Sequence, residues 1–373
     1  MNTGIHPLLM PKWGISMKEG RITEWLVAEG DPTTSGDEIV EVETDKIAAA
    51  VETQSGGVLR RQVAREGEIL PVGALLGVFA DSDTTDAEID HFLLDFEVHP
   101  ILEGSEEVAL SDTTETVAVG DRTIHFLRRS GEGEPLILLH GFGGNLNNWL
   151  FNREALADGR AVYALDLPGH GKSSKDVGDG STDDLARVLK GFMEVLEVRR
   201  AHLVGHSLGG AVALTCALGE PGRIASLTLI ASLGLGAEIN ASYIDGFVTA
   251  RKRRELKAQV TKLFGDPSLV TRQMVEELLM FKRLDGVQSG LQTIADQLLG
   301  GGVQTVVLAD RLEELAAPPL LIWGEKDEII PCSQAQALAD RARTVVIPGA
   351  GHMVQMEAAA QVNQLILEQI ASA

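Results

Sequence analysis

Ala201-His202-Leu203-Val204-Gly205-His206-Ser207-Leu208-Gly209-Gly210 is the stretch that decides the fold of this chain. A short apolar strand, Ala201 to Gly205, runs into a Gly-x-Ser-x-Gly turn, and a helix-length stretch follows. Glycines at 205 and 209 let the strand bend sharply into the helix, which forces Ser207 into a strained conformation with its hydroxyl projecting from the sheet edge. Similar apolar runs occur at Leu136 to Leu139, Ala161 to Leu165, Leu227 to Ala231, Leu320 to Trp323 and Val345 to Ile347. They alternate with helix-length stretches, so an α/β fold with a mainly parallel sheet is expected.

A lone Gly-x-Ser-x-Gly is a weak signal, and its context strengthens it. The first run is followed by His140-Gly141-Phe142-Gly143-Gly144 and the second by Asp166-Leu167-Pro168-Gly169-His170-Gly171. Asp327 follows the next-to-last run, and His352 follows the last. Ser…Asp…His is the chain order of the α/β-hydrolase fold. Ser207 is then the expected nucleophile and His352 its general base, with Asp327 fixing the tautomer of His352. The amides of Phe142 and Leu208 are the expected oxyanion hole. His140, His170 and His206 are expected to bond backbone and shape turns, and Cys216 to be a core residue. Residues 232–317 switch to amphipathic helical segments, read as a lid that controls substrate choice. Within them Arg251-Lys252-Arg253-Arg254 reads as a solvated helix face or, alternatively, as a contact for coenzyme A phosphates.

At 373 residues the chain is long for one core, so at least two domains are expected. The two cysteines lack metal-ligand spacing, and no metal is expected. A net charge of −22 argues against a nucleic-acid partner, which needs a basic footprint. No apolar run reaches the ~18 residues of a membrane span, and the first twenty residues lack a signal-peptide layout. A cytoplasmic protein is expected.

The first eighty residues carry a repeat: Gly20, Gly30 and Gly36 recur as Gly57, Gly67 and Gly73, each displaced by 37 positions. Alternating runs at Arg21 to Val27, Ile39 to Glu43, Val58 to Val63 and Leu75 to Phe79 read as strands, so a flattened all-β barrel of two similar halves is expected. Asp45-Lys46 falls at the turn between two strand-like runs. Together with Met10-Pro11-Lys12-Trp13-Gly14 ahead and Ser55-Gly56-Gly57-Val58-Leu59 behind, this stretch resembles the lipoyl domains of 2-oxo acid and acetoin dehydrogenase complexes. The resemblance implies lipoic acid in amide linkage on Lys46. Biotin carriers share the fold but set methionines around their lysine, whereas Lys46 lies between Asp45 and Ile47.

The expected boundaries are a lipoyl domain at 1–80, an acidic linker at 81–121 and a hydrolase domain at 122–373. Inside the linker, Thr85-Asp86-Ala87-Glu88 has the form of a capping box, with Ile89, Phe92, Leu93 and Phe96 at helical spacing behind it. One short helix is expected there, packed on a neighbouring domain or docking a partner.

Over essentially its full length the chain resembles the dihydrolipoyllysine-residue acetyltransferase component of acetoin dehydrogenase complexes. The likeness extends to His140-Gly141-Phe142-Gly143-Gly144-Asn145-Leu146-Asn147-Asn148-Trp149 and Gly351-His352-Met353-Val354-Gln355-Met356-Glu357. It implies that lipoyl-Lys46 takes an acetyl unit from a thiamine-diphosphate-dependent acetoin-cleaving component and delivers it to coenzyme A. A dihydrolipoamide dehydrogenase would then reoxidise the arm, and a lipoate ligase or transferase would install it. The His-x-x-x-Asp-Gly motif and the peripheral subunit-binding domain of the usual 2-oxo acid complexes are missing from the sequence. Two other readings stay open: a lipoyl-tethered esterase or thioesterase, and a lipoyl carrier with an inactive hydrolase domain.

Overall fold

The computed structural model describes residues 5–11, 19–34, 36–44, 48–53, 57–72, 74–80, 84–86, 88–89, 92 and 113–372. The chain divides into two compact units, Met1–Val108 and Ala109–Ala373.

The first unit contains β1 (Ile5–Leu9), β2 (Glu19–Trp25), β3 (Pro32–Thr33), β4 (Glu38–Glu43), β5 (Ala48–Glu52), β6 (Gly57–Gln62), β7 (Ile69–Pro71) and β8 (Leu75–Ala80). They form two four-stranded sheets, ordered β1-β8-β6-β3 and β5-β4-β2-β7. A shift of 37 residues carries β2, β3 and β4 onto β6, β7 and β8. The two sheet orders then coincide once β1 and β5 change places. Each sheet takes two strands from β1–β4 and two from β5–β8, so neither half closes alone. Alternation in β4 buries Val42 and leaves Glu41 and Glu43 in water, as a strand with one wet face requires. Ile22, Val42, Leu59 and Phe79 join one core between the sheets.

β4 and β5 pair antiparallel with Glu43 opposite Ala48. Lys46 lies between these strands and is outside the described residues. The capping box is formed: Thr85 N–H donates to Glu88 Oε2 at 2.8 Å, and Glu88 N–H to Thr85 Oγ1 at 3.3 Å. Ile89 is fully buried against Leu75, Val78 and Ala80, with Ile5 and Phe92 beside it. This start of a helix therefore packs on β8. Leu93 and Phe96 lie outside the described residues.

The second unit begins earlier than the sequence suggests. β9 (Thr113–Val119) falls inside the stretch read as linker, yet it pairs antiparallel with β10 (Arg122–Arg129) along its length. Its Thr- and Val-rich alternation marks a strand, and the acidic composition before it masked the start. Next come β11 (Gly133–Leu139), β12 (Arg160–Leu165), α1 (Thr182–Val195), β13 (Ala201–His206), α2 (Leu208–Gly219) and β14 (Ile224–Ile230). The segment read as a lid holds α3 (Ala241–Thr249), α4 (Arg253–Val260), α5 (Arg272–Lys282), α6 (Val287–Leu298) and a hairpin of β15 (Leu299–Gly300) and β16 (Val303–Gln304). β17 (Leu320–Gly324), α7 (Ser333–Gln336), β18 (Arg343–Ile347), α8 (Val354–Glu357) and α9 (Ala359–Ala371) complete the unit.

The sheet order is β18-β17-β14-β13-β11-β12-β10-β9. The six strands from β18 to β12 run parallel and are almost continuously apolar, because both faces are covered. One face packs on α1 and α2, where Phe192 meets Phe126 edge-on at 5.0 Å. The other face packs Trp149, Ile322 and Ile366 from α9. Among the described residues no helix is long and apolar enough to cross a membrane.

Candidate active site

Ser207 stands between β13 and α2 with φ 53° and ψ −117°. A Cβ on Gly205 would lie 2.3 Å from Gly209 O, and one on Gly209 would lie 2.4 Å from Leu139 O. Strand and helix can approach this closely only with glycine at both places. Ser207 N–H donates to Ile230 O at 2.9 Å, and Leu233 N–H donates to Ser207 O at 3.1 Å. These bonds hold a backbone conformation that costs of order 1–3 kcal/mol.

Asp327 follows β17, and its Oδ1 accepts the Ile329 and Ile330 amides at 2.8 and 3.0 Å. Its Oδ2 lies 2.8 Å from His352 Nδ1. A carboxylate at that distance puts the ring proton on Nδ1 and leaves a lone pair on Nε2. His206 Nε2 lies 3.0 Å from His352 O and must donate to it. Burial, reinforced by the neighbouring His352, pushes the His206 pKa well down, so its ring stays neutral.

Ser207, His352 and Phe142 all line a cavity of about 290 Å³. Leu208 opens α2, at a helix start where amides have no acceptor within the helix. Four expected site residues thus surround one chamber: Ser207, His352, Asp327 through its bond to His352, and Phe142. Leu208 adjoins them. Tyr243, Phe247, Leu278 and Phe281 of the lid also line the chamber and were not anticipated individually. The apolar spacing of Tyr243, Ile244, Phe247 and Val248 was a visible signal, but it reads only as a buried helix stripe.

Residues 134–359 match the family described as alpha/beta hydrolase fold, and residues 6–79 match the biotin/lipoyl family described as biotin-requiring enzyme. The dihydrolipoyllysine-residue acetyltransferase component of the acetoin cleaving system from Pseudomonas putida is 50% identical over 364 residues, covering 97% of this chain and 98% of that protein. The protein of the same name from Cupriavidus necator is 44% identical, with 97% and 96% covered. The chain belongs to this acetyltransferase family.

The family's second unit is widespread by itself. A 2-hydroxy-6-oxononadienedioate/2-hydroxy-6-oxononatrienedioate hydrolase of Paraburkholderia phymatum is 33% identical over 264 residues, 66% of this chain and 90% of that protein. The solved 2-hydroxy-6-oxo-6-phenylhexa-2,4-dienoate hydrolase of Rhodococcus sp. strain RHA1 matches with a TM-score of 0.63 at 21% identity, over 70% of this chain and 99% of that one. At that identity the likeness concerns the fold.

The basic run is largely put to structural use. Arg251 Nη1 donates to Val248 O at 2.9 Å at the end of α3, and Glu255 Oε2 accepts the Arg251 and Lys252 amides. Arg253 lies 3.5 Å from Glu276. Arg251 and Lys282 both serve the carbonyl end of α3, where cations complement the helix dipole.

Proposed function

We propose that this chain transfers an acetyl group from a lipoyl arm on Lys46 to coenzyme A as part of a cytoplasmic acetoin cleaving system. The observation that carries the reading is 50% identity across both units to a protein named for that role. The antiparallel β4–β5 pair, with Glu41 and Glu43 in water, suits a lysine that must reach a ligase and several active sites. A lipoyl group held by Lys46 would supply, once reduced, a thiol able to carry an acetyl unit. Its other partners in this reading are the thiamine-diphosphate-dependent acetoin-cleaving component, a dihydrolipoamide dehydrogenase and a lipoate ligase or transferase.

In the second unit Ser207 Oγ attacks the thioester carbonyl while His352 Nε2 takes its proton. Asp327 holds the His352 tautomer and stabilises the imidazolium. The Phe142 and Leu208 amides receive the negative charge on the carbonyl oxygen. His352 returns the proton to the departing thiol, leaving acetyl on Ser207. The coenzyme A thiol, deprotonated by His352, then attacks that ester and restores Ser207. Exposed Lys252 and Arg254 are the cations of the basic run best free to meet its phosphates.

The test uses lipoylated protein with acetyl loaded on the reduced arm, wild type against Ser207→Ala, with and without coenzyme A. Acetyl-coenzyme A formation that requires Ser207 supports transfer. Acetate release at an equal rate without coenzyme A makes the unit a hydrolase, and full transfer by Ser207→Ala removes the acyl-enzyme. Intact mass should show one lipoyl group, lost in Lys46→Arg.

A further inference from the structure

Two histidines beside the nucleophile take no part in the chemistry above. His140 follows β11, His170 sits in the loop after β12, and both are fully buried. Their rings meet edge to face with centroids 5.0 Å apart. Each ring accepts a backbone amide from the other's loop: Leu167 N–H donates to His140 Nε2 at 3.0 Å, and Gly143 N–H donates to His170 Nε2 at 3.0 Å. A backbone amide can only donate, so both Nε2 atoms are unprotonated and both ring protons sit on Nδ1. From there His140 donates to Gly141 O at 2.8 Å and His170 to Pro168 O at 3.0 Å. A second proton on either ring would set one N–H against another. Burial pushes both pKa values down, that of His170 to about 3. The charged groups nearest the pair are Asp166, which bonds His125 and the Leu146 and Lys172 amides, and Lys175, which donates to His170 O at 3.1 Å.

These bonds bracket Phe142. Gly141 O accepts from His140 Nδ1 and also from Gly144 N–H at 3.1 Å. The peptide joining Gly141 to Phe142 is planar and trans, so a carbonyl held by two donors sets the direction of the Phe142 N–H on the opposite side. The next peptide is held at Gly143 N–H by His170. Gly143 has φ 73° in a turn closed by the Gly144–Gly141 bond, a geometry whose central peptide can flip if left unbonded. We propose that His140 and His170 form a reciprocal clamp that presets the Phe142 amide as an oxyanion donor. They are positioning residues, and their catalytic consequence rests on the acyl-enzyme reading above. Preset donors accelerate because they need no reorganisation as charge develops.

The test uses the full chain and two variants. His170→Phe keeps an aromatic ring beside Phe142 and removes the acceptor, and His170→Gln restores an acceptor. With p-nitrophenyl acetate, His170→Phe should lose about ten- to a hundredfold in kcat with KM unchanged. Its affinity for a trifluoromethyl ketone, which mimics the tetrahedral state, should fall in the same proportion, and His170→Gln should recover most of both. A His170→Phe enzyme with wild-type kcat, or one changed only in KM, overturns the clamp. A second readout needs neither variant nor turnover: ¹⁵N spectra of the wild-type rings should place both protons on Nδ1, with His170 gaining no proton between about pH 5 and 9. A ring protonated on Nε2, or a His170 titrating in that range, overturns the proposal. An unreactive Ser207 in wild type would sink the acyl-enzyme reading, while the ring spectra would still decide the clamp.

Discussion

Asp327 is the member of the proposed Ser207, Asp327, His352 triad whose side chain the surrounding backbone fixes. Asp327 spends one oxygen on two backbone amides and the other on His352, so its carboxylate cannot rotate away from the ring. Asp327→Asn should leave the loop in place but let the ring adopt the wrong tautomer, with kcat falling by about 10⁴-fold and stability little changed; steady-state kinetics beside a urea titration would check both. Gly143 is constrained differently. A Cβ there would lie 2.4 Å from two ring carbons of Phe247, at a φ of 73°. Gly143→Ala should therefore displace the lid aromatic and destabilise the unit by about 1–3 kcal/mol, with a lowered urea midpoint as the readout. Spacing and chain order name the proposed motif residues in the sequence. The tautomers of His140 and His170 are not legible there, since each is dictated by an amide 27 residues away in the chain.

At the scale of elements, α1 shows how local and tertiary terms combine. Ser181 caps it by accepting Asp184 N–H at 3.2 Å, with Asp183 and Asp184 in the first turn complementing the dipole. Ser181→Ala should cost about 1 kcal/mol. Phe192, on the buried face of the same helix, packs against Phe126 and Tyr163, and Phe192→Ala should cost about 3–5 kcal/mol. Chemical denaturation of the two variants should keep that order; a cap outweighing the aromatic would contradict it. The lid is held at one point by a buried cation: Lys282 donates to Phe247 O and Val248 O at the end of α3, and burial lowers its pKa to about 8. Sequence periodicity marked the lid's helices but not this junction, because nothing in α5 alone says which carbonyls Lys282 will meet.

For the whole molecule, the buried histidines set the response to acid. His140, His170 and His206 are neutral in the folded state because burial lowers their pKa values, whereas an unfolded histidine titrates near 6.5. Below about pH 6.5 the unfolded chain binds the additional protons, so stability rises with pH through that window and is lost on acidification. Each such histidine contributes a slope of up to about 1.4 kcal/mol per pH unit. Urea midpoints of the second unit should fall steadily from about pH 7 to about pH 5, and a flat profile would contradict neutral buried rings.

What the sequence by itself determined is whatever a local pattern or a chain order can encode. The 37-residue glycine repeat, the strand alternation, the Gly-x-Ser-x-Gly elbow and the Ser207, Asp327, His352 order are all of this kind. Even there, the acidic stretch concealed β9, whose strand identity rests on pairing with β10. Tertiary structure alone decided that each sheet of the first unit combines strands of both halves, and which side chains of residues 232–317 enclose the cavity. It also decided that His140 and His170 each accept a backbone amide from the other's loop. The physical reason is common to all three: hydrogen bonds and apolar contacts form between whatever the fold brings within a few ångströms, and one-dimensional spacing carries no record of those distances.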